Sequence, residues 1–493
     1  MASVGGGALL GVAFPPADLG PVALVAIVPL LWAWHDATPR RAALYGLLYG
    51  IAFFGVLLEW SRYFGAVAII PLVVGEAAFI AIMGAVVALL ARRGMRSPWL
   101  TAAIWVVLEG ARARVPFGGF PWGEVGVALH DLSPARALAS FGGVPLVTLL
   151  VVAANGYVLD AATALRGGTR RDVRGPLMIA AAGMVGIVAL SGIAVVTRFD
   201  PRETGSIRYA LLQANDQDRN LTSDEIRNDY LMQRHLELAA ELEGPYDLIV
   251  FPESSLERDP TQFDYVREAL LGVAQAHGAV VLANARTNTP EGGIANSNLA
   301  YRPNGELEGI YSKQQLVPFG EYIPWRDTLS FISALDQIPY DYEPGTKRVL
   351  FRTAGHDFAT VICFESAFAP LVRDFVRDGA ELIVVTTNNR SYRRSGLAAQ
   401  HLALSQMRAA ETARPVLHAS ISGITGVIDP QGDVYETSEL FVNKITAGAV
   451  QATTGETPFV RLGEWVLGVS MLAVLAAAII TRSRRPRGVA VDS

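Results

Sequence analysis

Val361-Ile362-Cys363-Phe364-Glu365-Ser366 holds the only cysteine of the 493-residue chain. A β-rich run over 357–363 ends there and passes into Glu365-Ser366-Ala367, which reads as a helix start. A thiol at such a turn lies beside unpaired backbone N–H groups and the positive end of a helix dipole, and both favour thiolate. A lone cysteine without such context reads as a buried structural residue. Two further stretches supply the context.

In Leu248-Ile249-Val250-Phe251-Pro252-Glu253-Ser254-Ser255 an apolar strand runs into Pro252, which cannot continue a central strand. Glu253 therefore projects from a strand end. In Tyr311-Ser312-Lys313-Gln314-Gln315-Leu316-Val317-Pro318-Phe319-Gly320-Glu321-Tyr322-Ile323-Pro324 the lysine is conspicuous, because only Lys347 and Lys444 accompany it and arginine supplies all other positive charge. A compact ammonium and a planar guanidinium are not interchangeable, which makes Lys313 a candidate for a specific task.

Glu253, Lys313 and Cys363, in this order and at strand ends, resemble the Glu-Lys-Cys triad of the nitrilase (carbon–nitrogen hydrolase) superfamily. The PES, YSKQQLVPFGEYIPW and CFES segments narrow the resemblance to the apolipoprotein N-acyltransferase family. Leu211-Leu212-Gln213-Ala214-Asn215, Asn298-Leu299-Ala300-Tyr301, Thr387-Asn388-Asn389 and Gly119-Phe120-Pro121-Trp122 extend it over nearly the whole chain. There is one departure. Where that family carries an aromatic-Phe-Gly loop after the asparagine pair, this chain reads Arg390-Ser391-Tyr392-Arg393-Arg394-Ser395-Gly396.

Mean hydropathy is +0.32 and only 18% of residues are charged, unusual for a wholly soluble chain. The net charge of −5, with no basic stripe, gives no footprint for nucleic acid. One cysteine excludes an intrachain disulfide framework. No metal-ligand cluster stands out and no cofactor is called for. His401 and His418 read as ordinary polar-face residues.

The apolar content is concentrated at 4–14, 19–34, 42–60, 67–91, 100–110, 137–165, 177–196 and 465–480. Several of these reach the ~20 residues that span a bilayer as helix, so a polytopic helical bundle of about eight spans is expected. The extreme N-terminus lacks a positive n-region, so no cleaved signal peptide is expected. Arginines cluster at 40–41, at 92–96, at 166–174 (Arg166, Arg170, Arg171, Arg174) and at 482–487 (Arg482, Arg484, Arg485, Arg487), in alternate connections. By the positive-inside rule these are cytoplasmic, and the globular part is extracytoplasmic. Arg112 and Arg114 count against that orientation. Glu59 and Glu109, near span ends, read as solvated at the interface. Glu76 is mid-span, where a bundle-facing structural role competes with a substrate role.

Between 206 and 453 short β-rich runs (209–213, 248–251, 279–283, 382–386, 416–419) alternate with helical patterns (224–242, 398–414). This texture predicts an α/β layered domain; the family resemblance makes it an αββα sandwich. The expected organisation is a bundle over 1–198, a catalytic domain over 206–453, a last span over 460–481 and a basic tail over 482–493.

The resemblance implies roles. Cys363 is the nucleophile that takes an acyl chain from a membrane phospholipid as a thioester. Glu253 is the proton shuttle, and Lys313 with the N–H after Cys363 holds the oxyanion. The Lys313 charge is also expected to favour thiolate. Glu321 and Glu365 orient Lys313 and complete the acid–base network, or form structural salt bridges. Trp122, Tyr322, Phe364 and Asn388 are candidate substrate-binding residues; for Trp122 interfacial anchoring competes with lining a lipid entrance. Arg390, Arg393 and Arg394 either attract lipid phosphate or form a solvated loop. The acceptor is then a diacylated lipoprotein in the same bilayer, and a monomer is expected. Two rivals use the same residues differently: a membrane-tethered amidase, and a transporter or receptor whose outer domain only binds ligand.

Overall fold

Alternating side chains explain how two sheets come to share one core. In β2 (Leu248–Val250) Leu248 and Val250 join one apolar cluster, while Ile249 and the following Phe251 join another. Period-two burial on both faces requires a strand covered on both sides. The computed structural model describes all residues except 168–173, 217–221, 224–228, 333–334, 337 and 484–493. The expected Arg170, Arg171, Arg484, Arg485 and Arg487 charges, most of the basic tail and part of the expected 224–242 helix lie outside the described residues.

The chain divides into two units: Met1–Leu129 with Gly142–Val196 and Glu464–Ser493, and His130–Phe141 with Thr197–Gly463. Among the described residues the second contains twelve strands: β1 (Arg202–Gln213), β2, β3 (Val280–Asn288), β4 (Ile294–Tyr301), β5 (Leu307–Ser312), β6 (Leu350–Thr353), β7 (His356–Ile362), β8 (Leu382–Thr387), β9 (Val416–Ser420), β10 (Gly426–Ile428), β11 (Val434–Thr437) and β12 (Lys444–Thr454). They form two six-stranded sheets, β12-β1-β2-β3-β4-β5 and β11-β10-β9-β8-β7-β6. Within each sheet a parallel centre (β1-β2-β3; β7-β8-β9) is flanked by antiparallel strands.

One core unites inward residues of both sheets: Tyr209, Leu211, Val250 and Tyr311 with Phe351, Phe358, Val384 and Val427. The outer face of the first sheet is covered by helices Tyr230–Ala240 and Asp264–His277 through Met232, Leu238, Val266 and Leu270. Helices Ala369–Arg377 and Leu397–Thr412 supply Val372, Phe375, Leu402 and Ala409 to the second. The layers are therefore helix, sheet, sheet, helix. The sequence division at 198 leaves out His130–Phe141, which folds with this unit. His130 Nδ1 lies 2.7 Å from Gln406 Oε1, and Arg136 pairs with Asp433 and donates to the Gln431 carbonyl at 2.9 Å. The helix Ser133–Gly167 breaks just beyond, at Gly142–Gly143, where Gly143 takes φ +70°.

The first unit holds the apolar helices. Among the described residues five are long and apolar enough to cross a membrane: Pro39–Leu57, Ala66–Ala91, Ser133–Arg166, Arg174–Val196 and Trp465–Arg482. Ala2–Gly11, Gly20–Trp34 and Pro98–Arg112 are shorter. Two close contacts need glycine: a Cβ on Gly46 would meet the Ile80 carbonyl oxygen at 2.4 Å, and one on Gly50 the Cα of Ala77 at 2.6 Å.

Charges inside this unit correct two expectations. Glu109 is buried rather than solvated: it accepts from Trp105 Nε1 at 2.9 Å, the Val125 N–H at 3.0 Å and Thr148 Oγ1 at 3.1 Å. Arg112 is not a loop charge. It is 2% exposed, pairs with Glu76 at 2.8 Å, and donates to the carbonyls of Phe120 and Trp122 at 2.9 and 2.6 Å. Glu76 thus carries a structural ion pair. Glu59 pairs with Arg62 at 3.3 Å and stays partly exposed.

Candidate active site

Three strand ends deliver the three candidate side chains. Pro252 stops β2 and Glu253 follows it; Lys313 follows the last residue of β5; Cys363 follows the last residue of β7. At two of these ends the backbone pivots through the left-handed region, Ser254 at φ +64° and Cys363 itself at φ +53°. For non-glycine residues this conformation costs on the order of 1 kcal/mol and needs support from its surroundings. Cys363 opens a 3₁₀ turn, Cys363–Ala367, and the α-helix begins only at Ala369. The expected helix start at Glu365 is thus one tight turn early.

Lys313 Nζ lies 3.7 Å from Glu253 Oε1 and 2.9 Å from Glu321 Oε1. Asn296 bridges both acids through its Nδ2, at 2.9 Å to Glu253 and 3.0 Å to Glu321. The second oxygen of Glu253 accepts the Asn388 N–H at 2.7 Å, and that of Glu321 accepts the Val317 N–H at 2.8 Å. Glu253 is 7% and Lys313 1% exposed, so neither charge is solvated and each depends on these partners. Burial raises the Glu253 carboxyl, with Lys313 pulling the other way. Burial opposes the Lys313 charge, but Glu321 and Glu253 outweigh it and the ammonium is held well above its usual range.

The thiol departs from the expectation. Cys363 retains partial access, but burial of its sulfur, followed by the Glu253 charge, pushes the thiol up to about 12. Lys313 acts in the expected direction and loses to these two effects. At neutral pH Cys363 therefore keeps its proton.

Glu365 ties two strand ends together through hydrogen bonds. It is fully buried and sits 2.9 and 3.0 Å from the Tyr311 hydroxyl. It also accepts N–H bonds from Gln314 at 2.6 Å, Gln315 at 3.1 Å and Ile362 at 2.8 Å. These donors flank Lys313 on one strand end and Cys363 on the other. Burial pushes this carboxyl up to about 7, against those N–H groups and Lys313. Of the two carboxylates facing the ammonium, Glu321 is the nearer to Lys313, at 2.9 Å.

Among the candidate substrate-binding residues, Asn388 contributes its backbone N–H to Glu253. Phe364 is buried edge-on to Phe368, centroids 5.0 Å apart, and Tyr322 is half-buried. Trp122 belongs to the first unit, where it is 4% exposed and packs against Trp60 and Phe120; burial there contradicts an interfacial anchor. In the departing loop Arg390 is not a free cation: it pairs with the buried Asp216 at 3.2 Å. Arg393 and Arg394 are exposed. Tyr392 from the same loop carries its phenol into the field of the triad. Its titration is raised by burial and then by Cys363 and Glu253, while Lys313 opposes.

Sequence reading missed several residues. Asn284, opposite Asn298 in the β3–β4 register, donates to Asn296 Oδ1 at 2.8 Å and to Asn298 Oδ1 at 3.0 Å. Asn296 and Asn298 alternate along β4, and polar side chains at period two in a sheet buried on both sides were the available signal. His401 and His418 are not polar-face residues but fully buried, with His401 Nε2 2.9 Å from the Cys363 carbonyl oxygen and His418 Nδ1 2.9 Å from Ser405 Oγ.

An acid, an amine and a thiol on the ends of strands from two stacked sheets define a carbon–nitrogen hydrolase domain, and residues 209–459 match the Carbon-nitrogen hydrolase family model. Residues 6–157 match the Apolipoprotein N-acyltransferase N-terminal domain. The chain is 30% identical to the apolipoprotein N-acyltransferase of Geobacter metallireducens over 95% of this chain and 94% of that protein. It is also 30% identical to that of Methylococcus capsulatus, over 97% and 95%. A Saccharomyces cerevisiae nitrilase-superfamily structure aligns at 18% identity and TM-score 0.38, covering 50% of this chain and 91% of that one. The chain belongs to the apolipoprotein N-acyltransferase family, a family of membrane acyltransferases.

Proposed function

We propose that this protein transfers an acyl chain from a membrane phospholipid to the N-terminal amine of a diacylglyceryl-cysteine lipoprotein, through a thioester on Cys363. The observation that carries the reading is the buried Glu253–Lys313–Glu321 cluster at strand ends, electrostatically coupled to Cys363 and encoded in one chain with the apolar helices.

The steps balance on these residues. Glu253, raised by burial, takes the thiol proton as the sulfur attacks the ester carbonyl, and Lys313 holds the developing oxyanion. Collapse forms the thioester and expels the lysophospholipid, whose glycerol oxygen receives the proton from Glu253. The lipoprotein amine then attacks the thioester. Glu253 accepts the amine proton and returns one to the departing sulfur, so the amide forms and the thiol is restored. A thiol pushed up to about 12 does not ionise on its own at neutral pH, which couples attack to proton transfer and protects the resting enzyme.

The chain sits in the bacterial cell (inner) membrane as a monomer with the catalytic domain outside. Three shorter helices beside the five long ones support about eight spans. Arginine in alternate connections supports the orientation, and Arg112, neutralised by Glu76, no longer counts against it. Both substrates are then met in the bilayer that holds them.

Incubation with radiolabelled phospholipid is expected to leave an acyl adduct on Cys363 that a diacylated lipopeptide discharges. Amide hydrolysis with no adduct would replace this reading by the amidase, and ligand binding with no turnover by the receptor. In a Cys363→Ala background, a cysteine introduced at exposed Thr261 should react with impermeant maleimide from outside the membrane; labelling only after lysis would reverse the orientation.

A further inference from the structure

The loop after β8 carries a cation that the chemistry above leaves unused. β8 ends at Thr387, and the next backbone N–H, that of Asn388, donates to Glu253 Oε2 at 2.7 Å. A carboxylate that gives and takes a proton needs this hold, because a carboxyl free to turn presents neither oxygen in a fixed direction. The peptide that supplies the N–H is fixed on its other side by Ile421, whose N–H donates to the Thr387 carbonyl at 3.1 Å. Beyond it the chain turns. The Arg390 N–H donates back to Asn388 Oδ1 at 3.0 Å.

The Arg390 side chain ties that turn to the other sheet. Its Nε lies 3.2 Å from Oδ2 of Asp216, just past the end of β1, and its Nη1 lies 3.4 Å from Oδ1. Asp216 is 2% exposed and its own N–H donates to Ser422 Oγ at 2.9 Å, so its carboxylate is a fixed point and not a mobile surface charge. Leaving a buried carboxylate without its cation is costly, which holds the guanidinium in place. The turn is held again at Arg394, whose guanidinium lies over the Phe441 ring, 5.2 Å from its centroid. Both arginines belong to the stretch where this chain departs from the aromatic-Phe-Gly loop of its family, so the departing loop comes with fastenings of its own.

We propose that Arg390 is a positioning residue: paired with Asp216, it fastens the turn after β8 so that the Asn388 N–H stays on Glu253 and aims that carboxyl for proton transfer. No bond of Arg390, Asp216 or Asn388 is made or broken. This role rests on Glu253 as the base of the reaction proposed above. The rival task for an arginine here is capture of a lipid phosphate, which would require the guanidinium to leave Asp216.

Acyl loading of Cys363 in the full-length, detergent-solubilised protein separates the two tasks. Mixed micelles of radiolabelled phosphatidylethanolamine and phosphatidylglycerol serve as donor. The assay runs at pH 8, where Asp216, pushed up to about 7 by burial against the pull of Arg390, is charged. Arg390→Met is expected to lower the loading rate at saturating lipid about tenfold, the loss of one hydrogen bond to a charged group, with the half-saturating concentration unchanged. Arg390→Lys, which keeps the charge, is expected to recover most of that rate. Asp216→Asn should match Arg390→Met, and the double variant should be no slower than either, because the pair acts as one unit. An unchanged rate with raised half-saturation would make Arg390 a phosphate ligand and overturn the proposal, as would losses that add in the double variant. Hydrogen exchange followed by mass gives a reading that needs no turnover. The Asn388 amide should exchange faster in Arg390→Met than in wild type, and equal protection overturns the anchor. A wild type that never loads sinks the acyl-transfer reading instead, and exchange still decides the anchor. Should Arg390→Met fail to fold, Asp216→Asn carries the same comparisons.

Discussion

A buried ammonium between two carboxylates is the feature on which the site's electrostatics turn. Lys313→Met would leave Glu253 and Glu321 facing one another out of water, and removal of one partner from a buried charge cluster costs about 3–5 kcal/mol. The folded pKa of Lys313 lies above its ordinary value, so its stabilisation is complete below that ordinary value and is lost only as pH rises through the raised one. The mutant's deficit should therefore be constant through neutral pH and shrink in acid, where Glu253 takes up a proton; thermal unfolding at several pH values checks this. Glu253→Gln removes the proposed proton shuttle, and acyl loading should fall by about 10²–10⁴-fold. Because burial raises Glu253, the acid limb of wild-type loading should lie above the pH at which an ordinary glutamate titrates. Placing that limb in the usual carboxylate range would remove Glu253 as the base. The three residue types and their order were legible in sequence. The protonation state of Cys363 was not, because it depends on how deep the sulfur lies and how near Glu253 comes.

At the scale of elements, strand ends from two sheets must be locked in register for the triad to exist at all. Glu365 performs that task across the sandwich, joining the end of β5 at Tyr311, Gln314 and Gln315 to the end of β7 at Ile362. Glu365→Gln puts an amide N–H₂ among donors and loses acceptor capacity, so a destabilisation of about 1–3 kcal/mol is expected. Acyl loading should slow with it, whereas Tyr311→Phe, which removes one donor, should cost about 1 kcal/mol. Equal melting of Glu365→Gln and wild type would show that the bracket carries no load. Glu365 was visible two residues after the cysteine, but all its partners except Ile362 lie 50 or more positions away. Nothing local distinguishes a catalytic carboxylate from one that pins strands. The same reason hid Asn296, which reaches both Glu253 and Glu321 only because β4 runs beside β5.

For the whole molecule, the first unit carries its own buried ion pair. Arg112→Leu strands Glu76 among apolar helices and should lower stability by about 3–5 kcal/mol, whereas Arg112→Leu with Glu76→Leu should recover most of the loss. Thermal unfolding in detergent distinguishes the two, and equal losses would mean that Arg112 acts mainly through the carbonyls of Phe120 and Trp122. Taken alone, the sequence determined the long apolar helices, the α/β texture and the strand-end positions of the three candidate residues, because these follow from local hydropathy, period-two burial and strand-stopping residues such as Pro252. It also exposed the departing loop at 390–396. Only the tertiary structure decided the rest. His130–Phe141 joins the second unit, Arg112 is a buried ion-pair partner, and His401 lies buried against the Cys363 carbonyl. Cys363 rests as a thiol. Each of these depends on groups far apart in the chain meeting out of water, where hydrogen bonds and charges have no solvent to fall back on.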